Sequence, residues 1–396
     1  MAEKGFSNLG HNQWLLTKID PRQRAWLEVS SGAIEGNARI LKDLIGENCL
    51  LMAVVKADGY GHGAETVARA ALLGGASCLG VATLQEGIEL RKSGLVCPIL
   101  LLGSLSNVDE LSSSLHWDLM PTLSGIREAM LCHNLAEATG KKFKVHLKID
   151  TGMSRLGCHL NEAIQVVNAI DRLDNLSLEG IYSHLAMADG PLEEESKKVT
   201  FSQQKKFESL LDCLKSRKHS LCFHLANSAG TIRDKGLHYN MVRVGLALYG
   251  YNPLDQASFA NSLLLQPAMS VKARITLIRD VPVGTGVGYG HSFKTTRNSR
   301  LAVVGIGYAD GVSRALSGKI SALFKGDLLP QVGAITMDQL VLDITDKPEL
   351  KIGNIVTLLG CEGPKSISAR HWSDLSGSIP WEVLCGFKHR LPRVVV

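Results

Sequence analysis

Nine cysteines are spread from Cys49 to Cys385, yet none forms a Cys-x-x-Cys pair, so neither a zinc ribbon nor a dithiol redox motif is present. The count is odd, and Cys78, Cys97 and Cys222 sit inside apolar runs, which suits reduced thiols packed as small hydrophobes and a reducing, cytoplasmic setting. No metal is expected, because no histidine pair has ligand spacing on a helix. Long apolar runs are missing too. Charges at Glu3, Lys4, Lys18 and Asp20 surround a short Trp14-Leu15-Leu16, too brief for a signal-peptide core or a membrane span, so no membrane partner is expected. The net charge of +5 over 396 residues is small. The densest basic run, Lys215 to His219, has no interleaved aromatics and reads as a solvated helix end, not as a nucleic-acid surface. Gly284-Thr-Gly-Val-Gly-Tyr-Gly lacks the Gly-x-Gly-x-x-Gly spacing, and Gly140-Lys141 and Gly318-Lys319 lack the rest of a phosphate loop. There is no internal repeat.

What remains is an ordinary globular composition, 45 % hydrophobic and 20 % charged, long enough for two domains. Short apolar runs recur at Leu50–Val55, Cys78–Ala82, Pro98–Leu102, Asp118–Pro121, Lys144–Ile149, Leu178–Tyr182, Leu221–Leu225 and Met241–Leu248. They are nearly continuous in hydrophobicity, as strands buried on both faces are. Helix-like segments (Ala64–Leu73, Leu84–Lys92, Asn161–Leu173, Gln203–Arg217) lie between them. Eight such units predict an α/β fold, a closed (β/α)8 TIM barrel over 25–260, after an N-terminal extension of 1–24. Beyond Tyr251-Asn-Pro253 the pattern alternates, with Met269, Val271, Ala273, Ile275 and Leu277 on one side. Short strands follow, so 261–396 reads as a C-terminal all-β domain.

Barrel chemistry sits at strand C-terminal ends, which singles out several residues. Lys56 ends the first strand before Ala57-Asp-Gly-Tyr60-Gly-His-Gly63. It is either a snorkelling strand-end lysine or a desolvated amine able to form a Schiff base. Ser228 and Gly245 follow the last two strands, where such barrels hold phosphate; Asn227-Ser-Ala-Gly230 is equally a common helix start. Arg243 lies within an apolar strand and needs an acceptor. Arg155 follows the fifth strand, and His184 ends the sixth, where a satisfied core histidine is the ordinary reading.

Together Val54-Val-Lys-Ala-Asp-Gly-Tyr-Gly-His-Gly63, Val287-Gly-Tyr-Gly290, Gly307-Tyr-Ala-Asp-Gly311 and Thr336-Met-Asp-Gln339 closely resemble the alanine racemase family from about Ala25 onward. The resemblance implies a pyridoxal 5'-phosphate enzyme interconverting L- and D-alanine for peptidoglycan, and a homodimer with shared active sites. It implies Lys56 as the cofactor-bearing lysine and base on one face, and Tyr289 from the other subunit as base on the opposite face. Cofactor contacts would fall to Tyr60, Ser228, Gly245 and Leu246 at the phosphate and to Arg243 at the pyridine nitrogen, with His184 orienting Arg243. Arg155 would meet the cofactor phenol and the substrate carboxylate, with Met337 closing the site. Lys148 matches a position carbamylated in many relatives. Three positions depart from the pattern. Trp381 stands where a phosphate-binding Tyr is usual, Thr336 where Cys is frequent, and Ala334 where Arg is common. Within the same fold group a decarboxylase would need a cysteine in place of Tyr289, and a non-catalytic cofactor carrier would end after the barrel.

Overall fold

The computed structural model describes residues 22, 24–105, 107–190, 194–215, 220–254, 263–387 and 389–396. The Trp14-Leu15-Leu16 stretch, most of the basic run after Lys215 and the expected boundary near residue 260 lie outside them. Contacts divide the chain into two compact units. Among the described residues, one comprises those within 28–270 and 368–387 and the last two residues; the other comprises 271–367, 389–394 and those up to Leu27.

In chain order β1 (Ala25–Val29) falls mainly in the other unit, through Ala25, Trp26 and Leu27, and the first unit then holds α1 (Ser31–Ile45), β2 (Leu50–Val54), α2 (Lys56–Tyr60) and α3 (Ala64–Leu73). Next come β3 (Cys78–Val81), α4 (Leu84–Lys92), β4 (Ile99–Leu101), α5 (Val108–His116), β5 (Met120–Leu123) and α6 (Ile126–Ala138). They are followed by β6 (Phe143–Asp150), β7 (Cys158–His159), α7 (Ala163–Ile170), β8 (Leu176–Tyr182), α8 (Glu194–Cys213), β9 (Cys222–His224), α9 (Ser228–Arg233) and β10 (Met241–Val244). All eight long strands pair in parallel, β10 with β2 and β5 with β6, which closes the expected barrel. Strands β3, β4, β5 and β10 are buried at every residue, in keeping with their nearly continuous hydrophobicity, and Thr122 and Arg243 are the polar residues among them. Met52, Cys78, Leu100, Met120, Tyr182 and Met241 form a cluster of the core. Helix starts are written locally: Thr83 and Glu86 form a capping box on α4, and Asn107 caps α5. Helix α8 starts nine residues before the expected Gln203.

In the second unit β11 (Met269–Val281), β12 (Gly286–Val287), β13 (Phe293–Lys294) and β14 (Ser299–Val304) are followed by β15 (Ser321–Phe324) and β16 (Asp327–Val332). After these come β17 (Leu340–Asp343), β18 (Ile355–Glu362) and β19 (Lys365–Ile367). The chain then forms α10 (Ala369–Ser376), α11 (Pro380–Gly386) and β20 (Arg393–Val395). The main sheet runs β19-β18-β15-β16-β17-β14-β11-β1-β20, a β architecture separate from the barrel sheet. Along β11 the alternation holds through Ile275 and then fails, because a register shift between Ile275 and Leu277 leaves Leu277 38 % exposed. The helical stretch α10–α11 falls inside the span read as all-β, and it groups with the barrel unit. Among the described residues no helix is long and apolar enough to cross a membrane, and no cluster of metal-ligating side chains is present.

Candidate active site

Lys56 follows β2 as the first residue of a left-handed turn. Ala57, Asp58, Gly59, Tyr60 and Gly61 all have φ between 52° and 80°, a conformation that disfavours side chains by roughly 1–2 kcal/mol per residue. Hydrogen bonds hold it. The Ala57 N–H donates to Glu86 Oε1 (2.7 Å), and the Ala64 N–H donates to Asp58 Oδ1 (2.9 Å). The turn aims Tyr60 inward, where it is 7 % exposed and tilts against Tyr249 at 4.6 Å. Burial pushes the Tyr60 phenol above its usual range, so it stays protonated. A Cβ at Gly245 would lie 2.5 Å from Tyr60 Oη, so the phenol occupies a notch that only glycine leaves. Beside it, Ser228 Oγ accepts the Gly245 N–H at 2.9 Å. Tyr60, Ser228, Gly245 and Leu246 are thereby gathered around β10 and α9. Helix α11, which carries Trp381, packs on the Lys56 turn, with Leu384 O 2.5 Å from where a Gly61 Cβ would stand.

Arg243 is 4 % exposed on β10. Its Nη1 donates to His224 Nδ1 (3.0 Å), and its Nη2 donates to Ser183 O (2.6 Å), Leu225 O (3.1 Å) and His184 Nδ1 (3.2 Å). A guanidinium only donates, so both imidazoles present lone pairs and are neutral. Burial followed by the Arg243 charge drives His184 and His224 far below the usual histidine range, in keeping with this. None of these partners is a carboxylate, and burial brings Arg243 itself down to about 10. His224 Nε2 then donates to His146 Nδ1 at 3.0 Å, and its ring stacks on Tyr182 at 4.7 Å. His146 fits because Gly180 has no Cβ; one there would come within 2.6 Å of the ring.

Lys148 on β6 is 5 % exposed, and its ammonium is lowered to about 8, first by burial, then by Arg243 and Arg155, with Asp150 opposing and Lys56 adding to the effect. Four cations, Lys56, Lys148, Arg155 and Arg243, thus converge on one region of the barrel unit. Asp150, the carboxylate that acts on Lys148, already accepts the N–H groups of Gly152, Met153 and Ser154 through Oδ1 (2.9–3.0 Å), and Glu86 and Asp58 are engaged by the backbone N–H groups of Ala57 and Ala64. Such an excess of positive charge, next to a hydroxyl-lined glycine notch, fits a ligand with several negative charges and an amine-reactive carbon.

Tyr289 and Met337 belong to the other unit. Tyr289 lies between Gly288 and Gly290, both at positive φ, and is 74 % exposed; Met337 is 53 % exposed. Tyr308 is 42 % exposed, and its backbone N–H donates to Thr336 O at 3.0 Å, joining the two motif loops. Sequence reasoning missed His146, His224, Thr151, Ser183 and Gln203. The first two carried a visible signal, a histidine inside a buried strand.

A closed parallel barrel whose strand ends gather a lysine, a donor-only arginine and a glycine notch defines a barrel enzyme built for an anionic ligand. Residues 29–253 match the alanine racemase N-terminal domain and residues 268–395 the alanine racemase C-terminal domain. The chain is 62 % identical to an alanine racemase of Prochlorococcus marinus over 96 % of its own length and 98 % of that protein. It superposes on the alanine racemase of Clostridium difficile 630 with a TM-score of 0.87 at 35 % identity, covering 94 % of this chain and 96 % of that one. The alanine racemase of Bartonella henselae, solved with covalently bound pyridoxal phosphate, gives a TM-score of 0.82 at 29 % identity, covering 94 % of this chain and all of that one. The chain belongs to the alanine racemase family.

Proposed function

We propose that this protein is a pyridoxal-phosphate-dependent alanine racemase working as a cytoplasmic homodimer, with Lys56 and the partner's Tyr289 as opposed bases, and that it supplies D-alanine for peptidoglycan. The observation that carries the reading is the convergence of Lys56, Lys148, Arg155 and Arg243 beside the Tyr60–Gly245 notch, a cluster whose charge Asp150 offsets only in part. Tyr60, Ser228, Gly245 and Leu246 would hold the phosphate, with Trp381 beside them. Arg243 would donate to the ring nitrogen, and Lys56 Nζ would hold the cofactor covalently. Pyridoxal phosphate, when bound, supplies an electron-withdrawing conjugated system that acidifies the substrate's α C–H. Arg243, anchored by Ser183, His184 and His224, keeps its proton and so limits how much charge reaches the ring nitrogen. Arg155 orients the substrate carboxylate. Lys56 Nζ takes or returns the α-proton on one face, and the phenol Oη of the partner's Tyr289 does so on the other. Exposed Tyr289, Tyr308 and Met337 support a face that a second copy covers. The absence of any disulfide among nine free thiols suits a reducing compartment.

The test is amino-acid racemisation in deuterated water, with alanine expected to exchange and invert fastest. Tyr289→Phe should lose about 10²–10⁴-fold while keeping bound cofactor, and Lys56→Ala should lose both. Mixing the two inactive variants, under conditions where subunits exchange, should restore part of the activity; no recovery sinks the shared site.

A further inference from the structure

We infer that Gln203 is a positioning residue that locks the Arg155 loop and the His184 loop into one frame, which sets where Arg155 and Arg243 meet the substrate and cofactor; the inference rests on the racemase reading above. Helix α8 is polar along most of its length, yet the Gln203 side chain is turned inward and only 2 % exposed. A buried carboxamide is costly unless its oxygen and both N–H groups are matched. Here they are. Oε1 accepts the Ala186 N–H at 2.8 Å, and Nε2 donates to His184 O at 2.9 Å and to Thr151 Oγ1 at 3.3 Å. The reversed amide would set carbonyl against carbonyl and N–H against N–H, so the orientation is fixed by its partners.

Each contact leads to a residue of the site. Thr151 Oγ1 pairs with Ser183 Oγ at 2.7 Å, and Ser183 O receives Arg243 Nη2 at 2.6 Å. His184, held through its carbonyl by Gln203, presents Nδ1 to the same Nη2 at 3.2 Å. On the other side, Thr151 opens the turn whose N–H groups are tied to Asp150 Oδ1 and which leads directly to Arg155. Gly152, at φ 137°, lies over the Gln203 side chain, with its would-be Cβ 3.5 Å from Cγ. Thr151 and Ser183 are each 1 % exposed, so water does not substitute for these bonds. A glutamine serving only to pin α8 to the barrel would need a bond to one loop. This one holds both, and it meets the backbone and hydroxyl groups next to the functional side chains while touching none of those side chains.

Gln203→Met keeps the volume and removes every bond; Gln203→Glu keeps the acceptor for Ala186 and removes both donors. In the holoenzyme both variants should stay folded and lose about 10- to 100-fold in kcat/KM for alanine, mainly through KM, because Arg155 is displaced. Thr151→Val should lose a similar factor, and adding Gln203→Met to it should cost much less than the product of the two. Amide exchange in the same proteins supplies a second readout. Gln203→Met should lose protection at Ala186 on one loop and at Met153 on the other, while Gln203→Glu should stay protected at Ala186. Activity within twofold of wild type in both variants, or multiplicative double-variant effects, overturns the inference. If the wild type racemises no amino acid, the racemase reading fails by itself. Exchange then decides the locking: protection lost at both Ala186 and Met153 sustains it, and loss at Ala186 alone overturns it.

Discussion

Replacing Lys148 with methionine should stabilise the protein while harming its site. Lys148 is 5 % exposed, and its ammonium falls from 10.5 to about 8, first through burial and then through repulsion by Arg243 and Arg155. The unfolded chain therefore binds this proton more tightly than the folded one, so stability rises with pH between about 8 and 10.5. At pH 7, below both values, the whole penalty stands. A displacement of that size corresponds to about 3 kcal/mol, an upper figure because the neighbouring cations share the repulsion. Methionine fills the space without the charge, so Lys148→Met should gain about 1–3 kcal/mol at pH 7 and roughly a quarter of that at pH 10. Urea unfolding of the cofactor-free protein in CO2-free buffer at the two pH values measures this. Equal destabilisation at both would refute the reasoning. The lowered value also leaves roughly a tenth of the amine unprotonated at pH 7, against about 0.03 % for an ordinary lysine. Free amine is the form that takes up CO2, so bicarbonate should stabilise the wild type and leave Lys148→Met unchanged if the carbamate implied by the family resemblance forms.

Trp381 lies on α11 against the Lys56 turn, and Trp381→Ala should weaken cofactor binding and raise activity on serine relative to alanine, by roughly 1–3 kcal/mol of relieved crowding. An unchanged serine-to-alanine ratio of kcat/KM in folded, loaded protein would remove Trp381 from the site. Asp310 is fully buried; it takes two 2.8 Å bonds from Arg24 and one of 3.0 Å from the Gly307 N–H, and Arg390 sits at 3.5 Å. Asp310→Asn should cost about 2–4 kcal/mol in urea unfolding, less than a fully buried pair because Arg24 is 36 % exposed, and a loss below 1 kcal/mol would show that the pair is not structural.

The barrel was legible because its strands are buried on both faces and so carry nearly continuous hydrophobic runs, which few other structures produce. The strand-end residues followed from that alone. The left-handed turn at Lys56 was not legible, since Ala57 and Asp58 carry no bias toward φ of 53°; only the glycines at 59, 61 and 63 hinted at it. Helices α10 and α11, eight and seven residues long, are too short for a periodic signal, and their grouping with the barrel is a long-range fact that local pattern does not encode. Gln203 was invisible for a different reason. On a helix as polar as α8, one inward-facing amide looks like any exposed one.

Sequence pattern reports where hydrophobic burial drives folding, and the groups that set this site are held against that drive. Lys148, Arg243, His146, His224 and Gln203 are polar residues at buried positions. Arg243, Arg155 and Lys56 each disfavour the positive charge on Lys148. Such an arrangement persists because β-strand hydrogen bonds and apolar packing elsewhere in the barrel offset its cost. An anionic ligand that neutralises the cluster should then bind the folded chain only and stabilise it by mass action. The unfolding midpoint should therefore rise with pyridoxal phosphate more steeply for the wild type than for Arg243→Met, which lacks the buried charge that most needs a partner.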